Sequence, residues 1–277
     1  MRGSALAVVL FAAMAARASP GVGWVRASGQ LDASTPSRYT PLNLLDGVPS
    51  TVWCSRGADA LSEMLSFGFA EPVTLTRFEV TTGNAASEET FHSFSRVRKL
   101  LVRGPTDTAT VTLEDRLGPQ SVSLPKALRG QIFALEVLDT FPAEDVLAPA
   151  CLADFLPYSG TTPLAGAVLR KHLAYQPGGS ELLGVWYGGP VGAPDCSLTF
   201  FLDGSWRLAP EGPSGRGRPL AGKWGLKDGE VWLTIPGMGK VEAHPRLSQS
   251  VAGGKPVATL SLEGAVGELR QSYRDRR

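Results

Sequence analysis

The chain reads as all-β: an antiparallel sandwich or barrel in the first half, followed by a second, smaller antiparallel β-barrel. Three observations predict this. Glycine (32) and proline (21) are abundant while charged residues make up only 19% of the 277 positions, a balance that suits short strands and turns better than long helices. Apolar residues alternate at period two in short runs. Those runs are separated by turn dipeptides.

In the first half the expected strands are LSFGF (65–69), VTLTRFEVTT (73–82), RVRKLLVR (96–103), TATVTLED (108–115), QSVSLP (120–125) and IFALEVLD (132–139). Between them stand Glu71-Pro72, Gly83-Asn84, Gly104-Pro105, Gly118-Pro119 and Gly130, all turn chemistry. This spacing predicts an antiparallel sandwich or barrel over 24–158. Residues 159–181 are loop-like at both ends and enclose AGAVLRKHLAY, whose Leu164, Val168, Leu169 and Leu173 suit one side of a short helix. This is the expected linker, and its His172 reads as a solvated residue, having no partners in sequence.

From 182 to 273 a second set of strands is expected: LLGVWY, CSLTFFLDGSWRL, LAGKWGLKDGEVWLTI and VATLSLEG. Asp203-Gly204 and Asp228-Gly229 are favoured two-residue hairpin turns. A Gly-x-Trp unit recurs at Trp186, Trp206 and Trp224, with unequal spacings that argue against a solenoid repeat. A small up-and-down barrel fits best, with Trp206, Trp224 and Trp232 read as packing rather than as the lining of an apolar pocket.

Arg2 followed by an apolar run over 5–16 and Ala16-Arg17-Ala18 has the form of a secretory signal cut near residue 18. The run is shorter than the roughly 20 residues a membrane span needs. The expected localisation is secreted or periplasmic. In an oxidising compartment Cys54, Cys151 and Cys196 predict one bridge and one leftover thiol. The charges nearly cancel, with 27 Lys and Arg against 26 Asp and Glu, so nothing points to nucleic acid. The motifs of the common hydrolases, P-loops and dinucleotide-binding folds do not occur, nor does any C-x-x-C spacing for zinc.

Residues 27–155 resemble the discoidin-like family, also called coagulation factor 5/8 type C or galactose-binding-like domains. The resemblance is carried by NLLDGVPSTVW (43–53), FGFAEPV (67–73) and CLADF (151–155). Cys54 after the tryptophan, SEETF (87–91) leading to Arg96-Val97-Arg98, and Gly118-Pro119-Gln120 are similar to the NADase-type glycan-binding branch. The NADase catalytic module that sometimes accompanies such a domain is not evident in the sequence. Residues 182–273 are similar to small lipocalin-like barrels, through Gly184-x-Trp186 and the hairpin from Thr199 to Trp206.

The family resemblance implies a jelly-roll β-sandwich whose loops at one end bind a ligand, often a sugar. It implies a bridge between Cys54 and Cys151. It also implies a structural Ca²⁺ at Asn43, Asp46, Thr51 and Asp154, although Val48 stands where a further oxygen ligand is expected and fewer anionic ligands weaken such a site. Asp46 before Gly47 is equally a turn residue. As glycan contacts the sequence nominates Phe91, His92, Phe94, Arg96 and Arg98, rings for a sugar face beside donors for hydroxyls or carboxylates. The expectation is an exported, non-enzymatic carbohydrate-binding protein whose partner is a glycan or cell-envelope polysaccharide. An envelope scaffold that holds protein partners is the alternative.

Overall fold

The computed structural model describes residues 21–31, 38–57, 60–61, 63–145, 147–164, 181–190, 194–212, 215, 218–252 and 255–275. The expected signal segment and most of the expected linker, with its helix and His172, lie outside these residues.

The first half contains β1 (Val22–Ala27), a 3-10 turn (Pro41–Leu45), β2 (Trp53–Cys54), β3 (Met64–Thr82), α1 (Glu88–Ser93), β4 (Ser95–Arg103), β5 (Thr108–Thr112), β6 (Gln120–Phe141), β7 (Ala150–Ser159) and β8 (Thr162–Pro163). The order across the sheet is β1-β3-β6-β4-β7-β2, and β3 also pairs with β7, which curls the sheet into two layers. Two expectations need correcting. Residues 65–69 and 73–82 are one strand, β3, and residues 120–125 and 132–139 are one strand, β6. Glu71-Pro72 is therefore not a turn. It sits at an irregularity where the β3–β6 register shifts between Gly68 and Val73, as a proline inside a strand requires. Gly130 lies at the same bend, and a Cβ there would meet the Pro105 ring at 2.4 Å.

The long strands pass from one layer to the other and wrap a single aromatic interior. The Phe67 ring stacks on Phe133 at 5.6 Å and meets Phe155 at 5.1 Å, and Phe155 touches Phe78 at 5.1 Å. Trp53 is fully buried beside them and donates its indole N–H to the Gly29 carbonyl at 3.0 Å, as a buried indole must.

The second half is a closed antiparallel barrel of β9 (Gly184–Gly188), β10 (Cys196–Phe200), β11 (Ser205–Pro210), β12 (Leu220–Lys227), β13 (Glu230–Ile235), β14 (Gly239–Ala252), β15 (Lys255–Glu263) and β16 (Ser272–Arg274). Each strand pairs with its sequence neighbour, and β16 returns to β9 to close the ring. The β12–β13 hairpin turns at Asp228 and Gly229, both with positive φ (53° and 83°), the geometry that makes Asp-Gly a preferred hairpin pair.

The recurrent tryptophans fill the barrel. Trp186, Trp206 and Trp224 are at most 1% exposed, and their indole N–H groups donate to the carbonyls of Leu182, Thr234 and Phe201. Gly222 makes this packing possible: a Cβ there would lie 2.0 Å from the Thr234 oxygen and 2.8 Å from the Trp206 nitrogen. Trp232 differs, being half-buried and stacked over Gly225 with Lys240 above its ring.

The two halves join along β1. Leu202 N–H donates to the Gly23 carbonyl at 2.6 Å, the Arg26 guanidinium lies 4.2 Å over the Trp186 ring, and Arg26 pairs with Asp275 at 3.4 Å. One continuous apolar cluster runs through both halves. The barrel thus covers β1, the edge strand that would otherwise present unpaired backbone.

Candidate functional site

Strand directions bring three segments to one end of the sandwich: residues 83–94, which include α1, 113–119 and 142–149. The base of this end is rigid. Cys54 and Cys151 are disulfide-bonded and face each other across β2 and β7. A small apolar cluster of Tyr39, Val52, Ala153 and the two half-cystines surrounds the bridge, with Phe94 packed against it. α1 is fixed by a capping box between Ser87 and Thr90.

Arg96 organises the loops. Its guanidinium is nearly buried and makes two bonds to the Asp115 carboxylate, at 2.9 and 2.8 Å, and two more to the carbonyls of Phe94 and Pro142, at 3.2 and 2.7 Å. Three loop segments therefore meet on one side chain. Gly83 allows the approach: its φ is +77°, and a Cβ there would collide with Arg96 at 2.6 Å and with Phe91 at 2.9 Å. The bonds from Arg96, reinforced by its charge, hold the Asp115 carboxyl below its usual pKa against the opposing effect of burial.

The five residues nominated as glycan contacts thus fall into different places. Phe91 is buried under Arg96. Arg96 is spent on the loop frame, and Arg98, although exposed, is paired with Asp139. His92 is exposed beside Glu88, at 3.3 Å, and Phe94 is half-buried at the same end. Around them Glu88, Glu89, Glu144 and Asp145 stand in solvent. Sequence reasoning missed Asp115, Asp139 and the Pro142 carbonyl, because long-range partners leave no local pattern.

The residues nominated for Ca²⁺ are bonded among themselves. Asp46 accepts from Val48 N–H at 2.8 Å and from the Thr51 hydroxyl at 2.7 Å. The Asn43 amide donates to the Arg38 and Val52 carbonyls. Asp154 lies on β7 opposite Thr81. This is an Asp-Gly turn whose carboxylate is engaged by its own loop. Among the described residues no three His, Cys, Asp or Glu side chains converge as a metal ion needs. The third cysteine, Cys196, remains a buried thiol. Burial, with Asp195 beside it, pushes its pKa up to about 11, so it is protonated at neutral pH.

Among the described residues no helix is long and apolar enough to cross a membrane. Residues 18–141 match the family model of the NAD glycohydrolase translocation F5/8 type C domain. No curated protein matches the chain. Among solved structures, the chain is similar to the paired family 32 carbohydrate-binding modules of Clostridium perfringens ZmpB in complex with GalNAc, at 11% identity and a TM-score of 0.40, covering 50% of this chain and 33% of that one. It is similar to the family 32 module of C. perfringens NanJ in complex with galactose, at 15% identity and a TM-score of 0.37, covering 49% and 92%. It is also similar to a pectin-binding carbohydrate-binding module, at 13% identity and a TM-score of 0.37, covering 52% and 96%. The chain spans about a third of the length of the first of these. Over residues 18–141 the chain is similar to a discoidin-like domain of the F5/8 type C kind, and the second half is a closed eight-strand barrel.

Proposed function

We propose that the protein is an exported, non-enzymatic glycan-binding protein that takes neutral sugars at the loop end of the sandwich. One observation carries this reading: the two arginines best placed to hold an anionic sugar, Arg96 and Arg98, are both neutralised by carboxylates, at Asp115 and Asp139. What faces solvent is an imidazole, a half-buried ring and several carboxylates, namely His92, Phe94, Glu88, Glu89, Glu144 and Asp145. Carboxylates and imidazole accept from and donate to hydroxyls, and a ring edge suits the apolar face of a sugar. A uronate polymer meets repulsion instead. The bridge between Cys54 and Cys151 supports maturation in an oxidising compartment, and thus export.

A glycan array comparing galactose- and N-acetylgalactosamine-terminated chains with pectin and mannuronate oligomers tests the proposal. The expected result is binding to neutral glycans and none to the uronates. A folded protein that binds only the uronates, or nothing across a broad panel, contradicts it. The scaffold reading has its own support in Leu147, 73% exposed at the same end, an unusual position for a large apolar side chain in a purely sugar-binding loop. A stable stoichiometric protein partner, retained in the presence of excess free sugar, favours that reading.

A further inference from the structure

A shallow cleft of about 60 Å³ opens where the barrel meets the outer face of the sandwich. Alternation along the strands explains what faces it. Val25, Leu65 and Phe67 are buried in the sandwich interior, so Trp24 and Arg26 of β1 and Ser66 and Gly68 of β3 point the other way. Trp24 and Gly68 are register partners. The indole lies across the glycine, where a Cβ would come within 2.5 Å of its nitrogen. Ile132 flanks the cleft from β6, and Val185 and Tyr187 of β9 close it from the barrel side.

Two donors in this cleft stand out. The buried tryptophans Trp53, Trp186, Trp206 and Trp224 each give their indole N–H to a backbone carbonyl. Among the described residues Trp24 has no such acceptor, although only 4% of its surface is exposed. Its nitrogen is not sealed off, since the one fully buried side-chain polar atom without a partner belongs to Asp195 among the described residues. The Ser66 hydroxyl likewise has no hydrogen-bond partner among them. Beside these donors lies Ile132, 36% exposed. The charged groups of the cleft, Arg26 and Asp275, face each other and cancel.

This lining selects a chemistry. An ion finds no uncompensated opposite charge. A purely apolar ligand strands an N–H and a hydroxyl, at about 1–3 kcal/mol for each group left dry. A neutral sugar meets both demands, because its rim carries acceptor oxygens while one face presents C–H groups. Sites of this mixed kind favour the junctions between structural units. The geometry points to a second carbohydrate subsite at this junction, which takes one terminal neutral sugar edge-on, with rim oxygens accepting from Trp24 and Ser66 and the C–H face against Ile132. It shares only its ligand class with the loop site and uses none of the same residues. With both sites occupied, one chain grips a branched or multivalent glycan at two points.

The test is indole ¹⁵N–¹H NMR of the full chain, titrated separately with galactose and N-acetylgalactosamine. The Trp24 cross peak, assigned with Trp24→Phe, is expected to shift saturably. Ser66→Leu and Ile132→Arg each weaken that response by about tenfold or more, which corresponds to one decade in affinity, and leave the amide shifts of residues 84–94 as they were. His92→Ala leaves the Trp24 response intact. A Trp24 peak that stays still while the loop amides saturate overturns the cleft and leaves the loop site standing. A Trp24 shift that disappears in His92→Ala also overturns it, because the shift is then an echo of the loops. No shift anywhere overturns both sites. Ile132→Arg alters an already exposed position, so the test survives if Ser66→Leu fails to fold.

Discussion

The sandwich and the barrel spend their polar and aromatic groups differently. In the barrel Trp186, Trp206 and Trp224 point inward, and their three indole N–H groups end on backbone carbonyls. In the sandwich the aromatic interior is equally full, yet one end gathers loops on a single arginine and a disulfide and leaves His92, Phe94 and several carboxylates outside. A filled barrel has its chemistry consumed by its own fold. A braced loop end keeps its chemistry available, because rigid supports hold exposed groups in place without using them.

The sharpest way to break this contrast is to empty the barrel. Trp224→Ala is expected to cost about 3–5 kcal/mol, the usual range for truncating a buried large aromatic, measured by urea unfolding of the barrel transition. A cost below about 1 kcal/mol, less than an ordinary core truncation, means the interior is loosely filled and able to hold a ligand. On the sandwich side, replacing Cys54 and Cys151 together by serine removes a bridge closing a separation of 97 residues. The expected loss is about 2–4 kcal/mol, seen as a lower thermal midpoint, with the loop amides broadened in NMR. An unchanged midpoint shows that the loop end does not depend on the bridge.

A smaller effect lies in the Arg96–Asp115 pair. The Asp115 carboxyl is depressed in the folded protein, chiefly by its bonds to Arg96, so its contribution is present above the unfolded carboxylate pKa of about 3.9 and lost as pH falls through the folded value. Asp115→Asn is therefore less stable than the parent at pH 7, and the two converge towards pH 2 in paired denaturation curves. A gap that widens on acidification contradicts the assignment. The smallest effect concerns the 42–52 loop, whose carboxylate is held by its own turn. Adding calcium or a chelator is expected to leave the thermal midpoint unchanged, since only binding to the native state raises it. A clear rise with calcium shows that the turn opens to take the ion.

Much of this was legible in the sequence because it is local. Period-two alternation located the strands, Asp228-Gly229 announced its hairpin, and the family motif paired Cys54 with Cys151. The continuity of β3 and β6 was not legible, because Glu71-Pro72 has the composition of a turn and only the fold makes it a bend within a strand. The fate of Arg96 and Phe91 was hidden for a related reason. Alternating Arg96 and Arg98 read as a donor pair, but Asp115, Asp139 and the Pro142 carbonyl approach from elsewhere in the chain and claim them. Trp24 was silent in the sequence too, since its missing acceptor and its seat on Gly68 exist only once β1 and β3 pair.

The most direct test of the central claim is a backbone amide map of the full chain titrated with a neutral, galactose-terminated oligosaccharide and, in parallel, with a uronate oligomer of the same length. The account predicts saturable shifts for the neutral sugar centred on residues 84–94 and 142–149, and none there for the uronate. Shifts with the uronate alone, or none at the loop end with either, contradict it.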